Sequence, residues 1–194
     1  MKKILGLLLC LCMLAGLCAP MAQAEETTHI VFSTTDRSGE TWTEKDLADY
    51  KLVMINFWEP WCPPCVGEMP DLEKLYETYQ EQGFLILGVY STKDMEDEVD
   101  SVLADCETSY PILHYCEDFD EFQTGYVPTT IFVTGDGELV GETQIGSKSY
   151  EDWESMITGF DLLGSDERDF SSLAKQRGSW DPLSAPSPTE HTSP

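Results

Sequence analysis

The stretch NFWEPWCPPCVGEMP, residues 56–70, places two cysteines, Cys62 and Cys65, on either side of two prolines. It overlaps the end of KLVMINFW (51–58), a mostly apolar run with the length of a buried strand. After the pair, apolar residues recur at spacings of four and three, as on one face of a helix. These residues are Cys65, Met69, Leu72, Tyr76 and Tyr79. The pair is therefore expected where a buried strand meets the N-terminus of a helix.

The rest of the chain alternates between strand and helix patterns. A β-ribbon is predicted to turn at 36–39, and FLILGVY (84–90) reads as a second buried strand. Two further strands, joined at the glycine turn 135–137, form a predicted hairpin. Short helices are expected in 43–50 and 117–126, longer helices in 93–106 and 149–160, and a short strand in 111–115. This order predicts an α/β fold in which helices flank a mixed sheet, with an N-terminal β-ribbon.

The two ends of the chain differ from this pattern. Residues 1–24 carry Lys2 and Lys3, an apolar run and the sequence Ala22-Gln23-Ala24, the order found in a secretory signal peptide. Two alternatives are an uncleaved membrane anchor and lipid attachment at Cys18. In residues 164–194 periodicity stops and Gly, Ser and Pro accumulate, which predicts a disordered tail. The folded domain is expected to span 25–163.

The charge and the cysteine content limit the class of protein. A formal net charge of −25 at pH 7 repels phosphate backbones and argues against nucleic-acid binding. An extracytoplasmic location permits stable disulfides. Four cysteines lie outside the signal segment: Cys62, Cys65, Cys106 and Cys116.

Two segments, NFWEPWCPPCVGEMP (56–70) and GYVPTTIFV (125–133), resemble the TlpA/ResA-type thiol–disulfide oxidoreductases, exported members of the thioredoxin superfamily. The resemblance covers about 30–160 and implies a thioredoxin-like fold that needs no dissociable cofactor and no metal. It also implies a cis bond between Val127 and Pro128 that faces the cysteines. Trp61, Val127 and Pro128 would then contact an incoming polypeptide.

The chemistry of a helix N-terminus agrees with that resemblance. Unpaired backbone N–H groups and the helix dipole lower the pKa of a thiol there, so Cys62 is the expected nucleophile. Pro63 suits the first helical position, where no N–H is needed. Cys65, one turn later, would resolve the mixed disulfide. A locked structural disulfide or half of a zinc site is the alternative.

Acidic residues near the pair offer a proton acceptor. Glu68 lies three residues after Cys65, on nearly the same helix face, and is expected to exchange a proton with it. ResA-type proteins have Glu there, whereas the buried Asp of thioredoxin is replaced by Asn56. The alternative for Glu68 is a solvated helix carboxylate. Glu59 departs from the family, and its charge is expected to raise the pKa of Cys62.

Cys106 and Cys116 lie outside the family pattern. One closes the apolar face of a predicted helix, and the other follows a predicted strand. A structural disulfide between them is expected, which would add about 2–3 kcal/mol by restricting the unfolded chain. Two free thiols or a second redox pair are the alternatives.

Other functions remain open at this point. A thiol peroxidase would need Thr or Ser where Glu59 stands, and a copper-delivery protein would need a distant ligand such as His114. A zinc module would recruit all four cysteines. The resemblance favours a monomeric reductant that exchanges disulfides with proteins and receives electrons from a membrane protein of the DsbD/CcdA kind. Apocytochrome c is one expected client.

Overall fold

The computed structural model describes residues 28–161 and residue 163, and its main feature is a five-stranded sheet. The strands are β1 Ser33–Thr35, β2 Thr41–Thr43, β3 Leu52–Phe57, β4 Phe84–Tyr90, β5 Ile112–His114, β6 Thr129–Thr134 and β7 Leu139–Ile145. The helices are α1 Pro63–Tyr79, α2 Glu96–Asp105 and α3 Tyr150–Gly159, with 3-10 turns at Glu44–Leu47, Gln80–Gln82 and Glu117–Phe122. The predicted signal segment 1–24 and tail 164–194 lie outside the described residues.

The sheet has the mixed topology that the sequence predicts. Its strand order is β5-β4-β3-β6-β7, with β3 parallel to β4, β4 parallel to β5, and β6 and β7 antiparallel. Strands β1 and β2 form a separate antiparallel ribbon, which confirms the expected N-terminal extension. Within the described part of the chain, no helix is both long enough and apolar enough to cross a bilayer.

Two hydrophobic clusters pack on opposite faces of the sheet. The three α-helices cover one face, where Met69, Val99 and Trp153 contact the sheet. The N-terminal ribbon and two of the 3-10 turns cover the other, with Phe32 and Phe119 in that cluster. Strands β3 and β4 are buried at every position, which explains their continuous apolar sequence.

Helix α1 begins at the predicted position, but its buried face includes residues that the predicted apolar stripe left out. Pro63 is the first helical residue, and after a 3-10 turn the chain leaves the helix at Gly83, whose φ of 92° suits glycine. Glu68 and Glu73 are buried on this helix, although the spacing pattern selected only apolar residues. Glu73 is buried because it accepts a hydrogen bond of 2.7 Å from the backbone N–H of Ser109.

The expected disulfide between Cys106 and Cys116 is wrong, since both are free thiols. Cys106 caps the C-terminus of α2 and packs against the helix-covered cluster. Cys116 packs against the cluster on the other face. The sheet lies between the two cysteines, and a disulfide requires Cα atoms within about 7 Å of each other.

Candidate active site

Cys62 and Cys65 form a disulfide at the start of α1, with their Cα atoms 5.3 Å apart. Cys62 is the N-cap residue, and its Sγ accepts a hydrogen bond of 3.3 Å from the backbone N–H of Cys65. The side chains are 4% and 1% exposed, so only an edge of Cys62 reaches solvent. Because the N-terminal N–H groups and the helix dipole favour negative charge at that edge, a thiolate on Cys62 is stabilised there.

The connection from β3 into α1 is held by backbone hydrogen bonds. The N–H of Trp58 donates to the carbonyl of Val89 at 2.9 Å, and the N–H of Cys62 donates to the carbonyl of Glu59 at 3.1 Å. The first bond ties the loop before the cysteines to the end of β4, and the second closes a turn within that loop. The pair is therefore placed at the carboxyl end of the two central parallel strands.

The loop before β6 lies directly against the disulfide. The Val127–Pro128 peptide bond is cis, and the carbonyl oxygen of Val127 is 3.6 Å from Cys62 Sγ. The carbonyl of Pro128 accepts a hydrogen bond from Gly146, which anchors the loop to the end of β7. Val127 is half-buried and Pro128 is buried at this point beside Cys62.

Two exposed aromatic residues stand next to this opening along the chain. Trp61, which precedes Cys62, is 58% exposed, and its Nε1 donates to Thr92 Oγ1 at 3.2 Å. Tyr126, which precedes Val127, is 69% exposed. The sequence patterns did not indicate Tyr126, although its place directly before the Val127–Pro128 pair was a usable signal. Exposed aromatic side chains of this kind are suited to contact a polypeptide substrate.

Glu68 is a buried acid three residues beyond Cys65, with 3% of its surface exposed. Its carboxylate accepts hydrogen bonds from Asn56 Nδ2 at 3.1 Å, the backbone N–H of Lys148 at 3.1 Å and Trp153 Nε1 at 3.3 Å. Burial raises the pKa of Glu68 to about 6, although these hydrogen bonds act in the opposite direction. The solvated alternative is therefore wrong, and the group titrates in the range useful for proton transfer.

Glu59 is a second buried acid beside the pair, with 5% of its surface exposed. Its carboxylate accepts hydrogen bonds from the backbone N–H and the hydroxyl of both Ser91 and Thr92. It also borders a cavity of about 100 Å³, together with Trp58, Tyr115 and Val127. The sequence indicated a charge at this position but not its burial or its partners.

Groups that could hold a metal lie apart from the cysteines. One atom from each of His29, Asp136 and Glu138 lies within 4.8 Å of the others, and the group is mostly exposed. It surrounds the β6–β7 turn, at the other end of β6 from Pro128. His114, the copper-ligand candidate, has its Nε2 3.7 Å from Glu96 Oε1, and burial lowers the pKa of His114.

Comparison with known proteins agrees with this geometry. Residues 26–140 match the model of the AhpC/TSA family. The chain is 35% identical over 122 residues to the thiol-disulfide oxidoreductase ResA of Halalkalibacterium halodurans, covering 62% of this chain and 68% of that relative. It is 38% identical to ResA of Oceanobacillus iheyensis, over 46% of this chain and about half (47%) of that relative's length.

The fold is also found in a solved structure. The thioredoxin-family thiol:disulfide interchange protein of Chlorobium tepidum is 24% identical and superimposes with a TM-score of 0.63, covering 74% of this chain and 100% of that one. At this identity the likeness supports the fold alone. The chain therefore belongs to the AhpC/TSA family and is a thiol–disulfide oxidoreductase of the ResA type, with Cys62 and Cys65 as its cysteine pair.

Proposed function

We propose that the protein is an exported, monomeric reductant of protein disulfides, in which Cys62 attacks the client and Cys65 releases it. In the reduced protein, the Cys62 thiolate attacks a client disulfide and forms a mixed disulfide. The Cys65 thiol then loses its proton to Glu68 and attacks the mixed disulfide. The client leaves as a dithiol, and the Cys62–Cys65 disulfide seen in the structure is formed.

The observation that carries the reducing direction is the burial of two acids beside the pair. Glu59 and Glu68 lie within three residues of Cys62 and Cys65 along the chain, and both are at least nine-tenths buried. Negative charge at low dielectric destabilises a nearby thiolate and so opposes the stabilisation of Cys62 by the helix N-terminus. A less stable reduced form lowers the reduction potential, so the protein donates electrons more readily.

The signal-like sequence of residues 1–24 supports export, with the membrane and lipid anchors as alternatives. Outside the cytoplasm the protein would need a source of electrons. We propose a membrane donor of the DsbD/CcdA kind and, among clients, apocytochrome c cysteines. Both suggestions come from the likeness of the 56–70 segment to exported ResA-type proteins.

The reduction potential of the Cys62–Cys65 pair tests the direction. Equilibration with dithiothreitol or glutathione buffers, followed by thiol trapping, is expected to place it well below about −250 mV. A value near or above about −180 mV would instead indicate an oxidase or isomerase and contradict the proposal. The Cys106→Ser, Cys116→Ser double variant should have the same potential, because neither thiol belongs to the pair.

A thiol peroxidase, which the sequence left open, is the second candidate function. A peroxidase needs a hydroxyl three residues before its reactive cysteine, and that position holds Glu59, whose carboxylate is already bonded to Ser91 and Thr92. We therefore expect slow peroxide consumption and fast insulin reduction by the same reduced sample. Fast peroxide consumption together with slow insulin reduction would favour the peroxidase.

A further inference from the structure

Glu59 connects two loops at the active-site end of the sheet. It follows β3, and its hydrogen-bonding partners, Ser91 and Thr92, follow β4. Oε1 accepts from the N–H of Ser91 at 2.9 Å and from its hydroxyl, while Oε2 accepts from the N–H of Thr92 at 3.3 Å and from its hydroxyl. A buried carboxylate with four donors is fully satisfied, so it holds both loops in one arrangement.

The direction of these hydrogen bonds follows from the chemistry of the groups. An ionised carboxylate only accepts, and an indole N–H only donates. The Thr92 hydroxyl must therefore give its proton to Glu59 and accept the indole N–H of Trp61, which is 3.2 Å away. Trp61 is thus connected through Thr92 to Glu59.

This connection matters because Trp61 is otherwise open to solvent. The side chain is 58% exposed and adjoins the nucleophile, and its only polar atom is bonded to Thr92. We propose that Glu59 is a positioning residue, which acts through Thr92 to hold the Trp61 indole as a docking wall for polypeptide clients beside Cys62. The proposal rests on thiol–disulfide exchange at Cys62 but not on the direction of that exchange.

The NMR signal of the Trp61 indole N–H in the ¹⁵N-labelled full chain reports directly whether the indole is held in place, without any activity assay. Trp61→Phe identifies the signal by its loss. Thr92→Val removes the relay hydroxyl and is expected to shift the signal, speed its exchange with water and lower its heteronuclear NOE. The matched variant Thr92→Ser keeps the hydroxyl and is expected to keep the signal near its wild-type state.

The role of Glu59 itself is tested with Glu59→Gln and Glu59→Ala. Glutamine keeps the size of the side chain but turns one acceptor atom into a donor, so Ser91 and Thr92 cannot both keep their bonds. Both variants are expected to move the Trp61 signal toward that of Thr92→Val. A signal that stays at its wild-type position in the folded Glu59→Gln protein overturns the proposal, whether or not Glu59→Ala folds.

A second test compares the kinetics of the variants with a protein disulfide and with a small dithiol. With a protein disulfide such as insulin, KM for Thr92→Val and Glu59→Gln should rise about fivefold, the order that one hydrogen bond contributes. In Thr92→Val, which keeps the Glu59 charge, the rate of reduction of the pair by dithiothreitol should change less than twofold, since a small dithiol does not need the wall. Equal losses of Thr92→Val with insulin and with dithiothreitol would mean that Thr92 affects the reactivity of the pair and not the docking of a polypeptide, which contradicts the proposal. The KM of the Glu59→Gln, Thr92→Val double variant for insulin should be no higher than that of either single variant, because both substitutions break the same connection.

Discussion

At the scale of single residues, the two sulfurs of the site, those of Cys62 and Cys65, lie in different surroundings. Cys62 is the N-cap, where its edge meets solvent and the helix dipole, while Cys65 is enclosed within the first turn and is 1% exposed. We therefore expect a client to be attacked by Cys62, with Cys65 reacting only from inside the protein. The nearby buried acid, Glu68, gives the inner sulfur a group that can accept its proton.

The division of roles predicts different outcomes for two serine variants. Cys65→Ser is expected to accumulate a mixed disulfide with a protein client, because the attacking sulfur remains and the resolving sulfur is absent. Cys62→Ser is expected to form no such adduct. Non-reducing electrophoresis with mass spectrometry measures both, and an adduct on Cys65 in the Cys62→Ser protein would reverse the assignment.

Glu68 predicts a pH dependence of the exchange rate. With a pKa of about 6, Glu68 becomes a better proton acceptor as the pH rises through that value, so the resolving rate should increase there. Glu68→Gln should lose this inflection and slow resolution about 100-fold at neutral pH. Single-turnover kinetics from pH 5 to 8 test it, and an unchanged inflection in the variant would exclude Glu68 as the acceptor.

The same burial has a consequence for stability. The folded-state pKa of Glu68 lies above its ordinary value of 4.5, so its contribution to stability is fully present below that value and is lost as the pH rises through about 6. Relative to Glu68→Gln, the wild type should lose about 2 kcal/mol of unfolding free energy over this range. Urea unfolding of the oxidised proteins at low pH and above pH 6 measures the unfolding free energy of the wild type and of Glu68→Gln. The same change with pH in both proteins would contradict the prediction.

At the scale of elements, α1 provides a hydrogen-bond acceptor for the free thiol of Cys106. Pro70 lies within α1 and has no N–H, so the carbonyl of Val66 lacks its usual partner one turn later. The thiol of Cys106, at the end of α2, lies 3.8 Å from that carbonyl oxygen and donates to it. Burial raises the pKa of Cys106, which keeps its proton in place for this bond.

This contact predicts a coupling between the two helices. Cys106→Val should destabilise the wild-type fold by about 1 kcal/mol, because the half-buried carbonyl of Val66 loses its donor. In a Pro70→Ala background, the new N–H of residue 70 satisfies Val66, so the cost of Cys106→Val should fall toward zero. Denaturant unfolding of the wild type, the two single variants and the double variant measures this double-mutant cycle. Additive losses of unfolding free energy would show that the thiol and the proline are independent.

At the scale of the whole molecule, the strong acidity governs encounters with clients. A formal net charge of −25 attracts basic polypeptides over a distance that shrinks as salt is added. Exchange with a Lys-rich disulfide peptide should therefore slow as ionic strength rises, while exchange with a matched Glu-rich peptide should accelerate. Stopped-flow rates at low and high salt test this, and equal salt dependence for both peptides would refute it.

The order of the elements was largely predictable from the sequence, for a physical reason. Buried parallel strands need continuous apolar runs, and helices need a repeat of three and four, so β3, β4 and α1 are visible in the residues themselves. The position of the cysteines at the strand–helix junction follows from the same local pattern. Even the cis peptide bond before Pro128, which the family resemblance implied, lies in a recognisable segment.

The burial of polar side chains and the placement of the two free cysteines depend on residues distant in the sequence, so local patterns did not predict them. The local sequence marked Glu68 by its position on the helix face after Cys65, but nothing in it shows that Glu59 and Glu73 are buried as well, unlike the many exposed acids of the chain. Their burial depends on donors supplied from far along the chain, such as Trp153 for Glu68. Likewise, Cys106 and Cys116 are only ten positions apart, yet the sheet lies between them. The sequence determined the elements and the reactive pair through local periodicity, whereas tertiary packing alone decided which polar groups share a buried environment.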